Sequence, residues 1–279
     1  MRVLVTGLSG QLGYDVVQEL EKQKIECLGT TRATLDITDE QAVHQFLSTY
    51  QPDAVIHCAA YTAVDKAEDD VENCRKVNVD GTRYLAEACR ELGAKMIYIS
   101  TDYVFPGTGE QFYEVDDIKG PCNVYGQSKL DGELEVQRIL NEYFIVRISG
   151  GFGQNGNNFV KTMLKLAETR NELNVVDDQI GSPTYTADLA KLLVEMVQTD
   201  KYGIYHAHNE GTCSWAQFAR EIFRIAGKDV TVQGIPSADY PTPAKRPLNS
   251  RMSTKALVEN GFETLPEWEE ALERYINLV

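Results

Sequence analysis

Tyr125 and Lys129 stand four positions apart in the stretch NVYGQSKLDGE, a spacing that puts two side chains on one face of a helix, one turn from each other. An ammonium near a phenol favours the phenolate and draws its pKa down from about 10 toward the working range. A tyrosine so placed can trade a proton at neutral pH. Tyr-x-x-x-Lys occurs by chance in many helices, but here it follows the run STDYVF (100–105), which closes an apolar stretch. Ser100 and Thr101 put hydroxyls at the end of that stretch, where an uncharged donor can meet a carbonyl or a developing alkoxide. Thr101 is the first candidate for that task and Ser100 the second.

A second constellation lies at the start of the chain. Gly7, Gly10 and Gly13 form G-x-x-G-x-x-G directly after VLVT and ahead of a helical pattern. Glycines allow a tight turn and close backbone approach, and free N–H groups at a helix start favour a pyrophosphate, so a dinucleotide site is expected. An acidic residue about 20 positions after the turn would hold the ribose hydroxyl of NAD. Here the second apolar run ends in Thr30, Thr31 and Arg32 with no carboxylate from Cys27 to Leu35. Arg32 suits a 2′-phosphate, which favours NADPH over NADH and leaves dual use open. Asp36 and Ile37 follow where an adenine would rest. Hydride chemistry would belong to the cofactor, with a phenol and a hydroxyl completing the reduction of a ketone and no metal required. His206 and His208 form a single H-x-H without a third ligand nearby and are read as structural. Lys245, Arg246 and Arg251 gather three cations in a Pro-rich loop (235–247 and beyond) that could cover the site and hold a diphosphate.

These groups need a scaffold. The first half alternates short apolar runs, Arg2–Thr6, Ile25–Thr30, Ala54–Cys58, Lys95–Ser100 and Phe144–Ile148, with helical patterns near Gln11–Gln23, Asp39–Tyr50, Asp69–Leu92 and Ser128–Leu140. That alternation predicts an α/β fold of Rossmann type, a doubly wound parallel sheet with ligands beyond the carboxyl ends of its strands. Past residue 150 the alternation weakens at the Gly/Asn-rich segment GGFGQNGNN. Residues 1–150 are expected to form the dinucleotide-binding domain and 151–279 a smaller substrate-binding region. Helices are predicted at Phe159–Thr169, Ala187–Gln198, Ser214–Ala226 and Leu265–Leu278, the helix near 187–198 packing back on the first domain.

Among 279 residues the net charge is −15, which opposes a phosphate backbone, so no nucleic-acid partner is expected. The six cysteines are scattered without a C-x-x-C pair and fit reduced thiols in a cytoplasm. The opening MRVLVTG lacks the apolar length of a signal peptide, and no stretch reaches the roughly 18 apolar residues of a membrane span. A soluble protein without membrane contact is expected.

The chain resembles the extended short-chain dehydrogenase/reductase family and, within it, the dTDP-4-dehydrorhamnose reductases. The resemblance runs along VTGLSGQLG (5–13), AAYTAVDKAE (59–68), STDYVFPGTG (100–109), NVYGQSKLDGE (123–133), GNNFVKTML (156–164), DDQIGSPT (177–184) and RPLNSRM (246–252). It implies NAD(P)H-dependent reduction of the 4-keto group of dTDP-4-dehydro-L-rhamnose to dTDP-L-rhamnose. It implies Tyr125 as proton donor, Lys129 as the group that lowers its pKa and holds the nicotinamide ribose, and Thr101 as hydroxyl partner. By the same resemblance Gly10, Gln11 and Leu12 face the pyrophosphate, Asp36 and Ile37 the adenine, Ala59, Ala60, Tyr61 and Thr62 the middle of the cofactor, and Thr101, Asp102 and Tyr103 the sugar. A homodimer, with Mg2+ at its interface in some members, belongs to that pattern. The chain departs from it at Arg147-Ile148-Ser149-Gly150, where members carry a Trp at the position of Gly150, and Phe152 is expected to fill the gap. Two other readings share the fold: a sugar-nucleotide epimerase or dehydratase that retains its NAD, and a non-catalytic regulatory subunit like that of methionine adenosyltransferase.

Overall fold

The computed structural model describes residues 1–279. In chain order the first part comprises β1 (Arg2–Thr6), α1 (Gln11–Lys22), β2 (Glu26–Thr30), α2 (Glu40–Tyr50), β3 (Ala54–His57), the short α3 (Val64–Ala67) and α4 (Val71–Arg75), α5 (Gly81–Leu92), β4 (Lys95–Thr101), α6 (Val124–Ile139) and β5 (Tyr143–Ile148). There follow β6 (Gly151–Phe152), α7 (Phe159–Leu166), β7 (Glu172–Val176), β8 (Ile180–Gly181), β9 (Thr184–Tyr185), α8 (Thr186–Val197) and β10 (Gly203–His206). The chain ends with β11 (Asn209–Glu210), β12 (Cys213–Ser214), α9 (Trp215–Ile225), β13 (Thr231–Ile235), β14 (Asn249–Ser250), α10 (Lys255–Glu259), β15 (Leu265–Glu267) and α11 (Trp268–Ile276).

Six parallel strands form the main sheet in the order β2-β1-β3-β4-β5-β10. The five predicted strands are present, and the sixth, β10, was not anticipated, because only Ile204 and Tyr205 carry an apolar signal in its four residues. The sheet reverses its winding between β1 and β3, and a crevice opens there at the carboxyl ends. One face is covered by α1 and α8, whose Val16, Leu20, Leu189 and Leu193 bury against Val3, Val5 and Ile56. The other is covered by α2, α5 and α6, through Leu47, Leu85, Ala86 and Val136. A third cluster, built from Phe152, Phe218, Trp268 and Tyr275, supports the small sheets of the second half, among them β12-β8-β14.

Two helices differ from expectation in ways that shape the site. The single helix expected over Asp69–Leu92 is interrupted by a π turn at Lys76–Asp80, as happens where a side chain is needed inside the helical ladder. The side chain thus turned inward is Asn78, which accepts the Tyr61 amide at 2.8 Å and donates to the Ser128 hydroxyl at 2.9 Å. The helix expected from Ser128 begins instead at Val124, because Asn123 caps it by accepting the Gly126 amide at 2.8 Å. Tyr125 and Lys129 are therefore both helical. The segment expected as one helix over Leu265–Leu278 opens with β15 before α11.

Under the carboxyl end of the sheet lies a buried ion pair. Arg147 of β5 meets Glu133 of α6 through two hydrogen bonds, at 2.8 and 2.7 Å, and both side chains are 1% exposed. Ser100 of β4 donates to the same carboxylate at 2.5 Å, and the guanidinium also donates to the Val115 carbonyl. Removing one partner leaves the other charge buried and unpaired, which ordinarily costs about 3–5 kcal/mol. Glu133→Ala is expected to lose about that much unfolding free energy in a denaturant titration, and a loss of less than about 1 kcal/mol would show that the pair does not hold α6 to the sheet.

Candidate active site

At the topological crevice the glycine turn meets the loop after β3. Gly7 has φ of +80°, and a Cβ there would lie 2.8 Å from the Ala59 amide nitrogen. A Cβ on Gly13 would lie 2.3 Å from the Gly7 carbonyl oxygen, so side chains are excluded from both positions. Gly10 caps α1 with no side chain, which leaves the first amides of the helix to an anion. His57 lies beneath this turn. Thr82 Oγ1 donates to the Asn78 carbonyl, so it accepts from His57 Nε2 at 3.2 Å, and Nδ1 is left to accept the Thr6 hydroxyl at 2.7 Å. Burial lowers the pKa of this imidazole to about 3, so it is a neutral strut. Thr6 Oγ1 in turn accepts the Ala59 amide.

From that turn a cleft of about 810 Å³ runs along the sheet's carboxyl edge. Gly7, Gly10, Gln11, Leu12 and Gly13 line one end, together with Arg32, Asp36 and Ile37. Ala59, Ala60, Tyr61 and Thr62 line its middle, and Thr101, Asp102, Tyr103, Tyr125 and Lys129 the chemical end. Arg32 reaches into solvent with its side chain 88% exposed, 3.8 Å from Asp36, whose carboxyl is held below its usual range chiefly by the Thr38 hydroxyl.

At the chemical end Thr101, Asp102 and Lys129 are buried and Tyr125 is half-buried. Burial, then the charge of Asp102, push the Tyr125 phenol well above its ordinary range. Lys129 does not act on it here: its ammonium lies over the Tyr98 ring, 4.0 Å from the centroid, and burial lowers its pKa to about 7. In this arrangement no lowering of the Tyr125 pKa comes from Lys129, whose ammonium is turned to the Tyr98 ring. Asp102 is raised to about 6, with burial dominant and the hydroxyls of Ser250 and Thr101 opposing it. Both candidate hydroxyls line the cleft and both meet a carboxylate: Ser100 donates to Glu133, which is itself locked to Arg147, whereas Thr101 donates to Asp102.

The loop cations behave differently from expectation. Arg246 and Arg251 do not line the cleft; Pro247 and Ser250 do. Arg246 is drawn to Asp65 at 2.9 Å, and Arg251 donates to Asn249. Lys245 contributes its carbonyl, which accepts from Asn123. His206 and His208 are structural as expected, bonded to the Ser253 and Met252 carbonyls respectively. Phe152 lines the cleft but is buried against Tyr185; a Cβ at Gly150 would meet Pro183 at 3.4 Å, with the Trp215 ring the nearest aromatic at 3.8 Å. Trp215 opens α9 after a Ser214 cap, and nothing in its local sequence separates it from a core aromatic. The only group with three potential metal ligands in reach of one another, Glu40, His44 and Glu87, lies on α2 and α5, away from the cleft.

A glycine-turned nucleotide crevice leading to a half-buried tyrosine beside a buried lysine and threonine defines a Rossmann-fold oxidoreductase of the short-chain dehydrogenase/reductase type. The RmlD substrate binding domain family matches residues 1–279. SpsK of Bacillus subtilis, a spore coat polysaccharide biosynthesis protein, is 40% identical over 99% of this chain and 96% of its own. The dTDP-4-dehydrorhamnose reductase of Aggregatibacter actinomycetemcomitans is 41% identical over 97% of each chain. The crystal structure of dTDP-4-dehydrorhamnose reductase from Bacillus anthracis in complex with NADP superposes with a TM-score of 0.97 at 43% identity, covering 100% of this chain and 99% of that one. The chain belongs to the RmlD family of dTDP-4-dehydrorhamnose reductases.

The raised Asp102 pKa makes a stability prediction. A carboxyl that holds its proton more tightly folded than unfolded stabilises fully below about pH 4 and loses that contribution as pH rises through about 6. Asp102→Asn has no such loss. Its unfolding free energy, measured by denaturant at pH 4.5 and 7.5, should improve relative to wild type at the higher pH by about 2 kcal/mol. A relative change in the opposite direction would show that the carboxyl is not held protonated by burial.

Proposed function

We propose that this chain reduces the 4-keto group of dTDP-4-dehydro-L-rhamnose to give dTDP-L-rhamnose. The observation that carries the reading is the meeting, in one cleft, of the glycine turn with Thr101, Tyr125 and Lys129. A bound NAD(P)H supplies the hydride. Gly7, Gly10, Gln11, Leu12 and Gly13 hold its pyrophosphate, Asp36 and Ile37 flank its adenine, and Ala59 to Thr62 follow its middle. Tyr125 is poised to donate: a phenol kept neutral by burial delivers its proton to the keto oxygen, and Lys129 holds the ribose beside it. Thr101, Asp102 and Tyr103 shape the sugar end. Exposed Arg32 favours NADPH, and the NADP complex of the Bacillus anthracis relative supports that preference. Arg246 has one guanidinium nitrogen buried without a partner, which supports a diphosphate role beside its pairing with Asp65; Arg251, held by Asn249 outside the cleft, is given none.

We assign residues 1–150, with α8 and β10 added to their sheet, to the cofactor and most of 151–279 to the substrate. No helix is long and apolar enough to cross a membrane, and all six cysteines are free, which supports a cytoplasmic reading. A homodimer belongs to the same reading. Magnesium does not fit the Glu40, His44 and Glu87 group, since a hard cation wants an all-oxygen octahedron, and no step is assigned to it.

The decisive experiment follows NADPH absorbance with freshly made dTDP-4-keto-sugar. Turnover to dTDP-rhamnose is expected; a cofactor retained and unconsumed would favour the epimerase reading instead. In the same assay Tyr125→Phe should bind NADPH within about threefold of wild type and lose about 10²–10⁴-fold in kcat, and near-normal turnover would remove Tyr125 from its role. Arg32→Ala should weaken NADPH by about tenfold with little effect on NADH, since one charge-assisted contact is worth about 1.5–3 kcal/mol. Equal losses would mean that Arg32 does not read the 2′-phosphate.

A further inference from the structure

Thr101 has one hydroxyl proton, and the structure commits it. The hydroxyl donates to Asp102 Oδ1 at 3.0 Å and accepts the Tyr103 amide at 3.2 Å. Asp102 is 5% exposed, and its second oxygen accepts the Ser250 hydroxyl. Ser250 stands on β14, which pairs with β8, and Ser250, Ile180 and Gly181 line the same cleft as Thr101. One carboxylate thus ties the candidate hydroxyl at the end of β4 to the small sheet of the second half.

A hydroxyl that has given its proton to a carboxylate offers only a lone pair elsewhere. A keto oxygen also offers only lone pairs, so the two do not bond. Protonated Asp102 reverses the arrangement: its O–H donates to Thr101, the Tyr103 amide fills the second lone pair, and the Thr101 proton is released to the cleft. We propose that Asp102, held by Ser250, is a positioning residue that sets whether Thr101 donates to the keto oxygen or only accepts. The inference rests on the ketone-reduction reading above.

Three titratable groups act on or feel the charge of Asp102: Tyr103 on its own turn, Tyr125 of α6 and Cys122 in the loop before α6. Burial pushes all three up, so they stay neutral where a carboxyl ionises. The nearby cation, Arg246, is paired with Asp65. Because the Ser250 hydroxyl bonds the charged form, losing it makes Asp102 easier to protonate.

The test is kcat/KM for the keto-sugar at saturating NADPH from pH 5 to 8.5, in wild type, Ser250→Ala, Ser250→Thr and Asp102→Asn, with NADPH affinity measured for each as a check on folding. Wild-type turnover at any one pH tests the reaction; the shape of the profile tests the residue. Reduction should fall several-fold as pH rises through the ionisation of Asp102. Ser250→Ala should move that midpoint up in pH, and Ser250→Thr, which keeps the hydroxyl, should restore it. Asp102→Asn should lose the step near pH 6, because its amide donates to Thr101 at every pH, and keep only the change near pH 7 that belongs to Lys129. An unmoved or lowered midpoint in Ser250→Ala, or a fall near pH 6 retained in Asp102→Asn, would overturn the proposal.

Discussion

The pairing of Arg147 with Glu133 is the constraint on which the chemical end depends. Two opposite charges taken fully out of water repay their desolvation only when their hydrogen-bonding capacity is filled. Here the filling is done by Ser100 and by the Val115 carbonyl, so the pair gathers β4, β5, α6 and the loop before α6 at one point. The helix that carries Tyr125 and Lys129 is thereby referred to the same strand end that carries Thr101. Close approach completes the arrangement: a Cβ at Gly126 would lie 2.3 Å from the Tyr103 carbonyl, so α6 can lie flush on the turn after β4.

Burial then governs protons. In water, a lysine one turn from a tyrosine would help to ionise it. In this cleft burial makes charge expensive for both, raising the phenol and bringing the ammonium to about 7. The consequence is a site that keeps its phenol protonated for donation and relies on neutral partners, such as Asn78 and the Nε2-protonated His57, to hold the loops around it. Preorganised neutral donors cost less to bury than ions and still fix geometry.

Legibility followed range along the chain. The glycine turn, the Tyr125–Lys129 spacing and the five long strands were readable because each is specified within a dozen or so neighbours. Asn78 was hidden because a π turn leaves no periodic trace in a sequence that reads as one helix. Ser250 and the diversion of Arg246 to Asp65 were hidden because they depend on contacts between segments more than 100 positions apart, and Trp215 because its place beside Gly150 joins segments well separated in the chain. Phe152 read as a pocket aromatic and became mainly core, since aromatic stacking with Tyr185 offers it more burial than the cleft.

The place of β10 has a consequence for how the chain is made. The outer edge of β5 is paired by residues 203–206, so during synthesis an open strand edge persists until some sixty further residues have emerged. An unpaired edge of apolar sequence is a template for association with other chains. The intervening segment carries α7 and α8, and α8 docks on α1 to cover one face of the same sheet. Closing the edge and covering that face are therefore both tasks of the second half, and a chain ending between residues 150 and 206 would leave an apolar edge, and before α8 an apolar face, open to other chains.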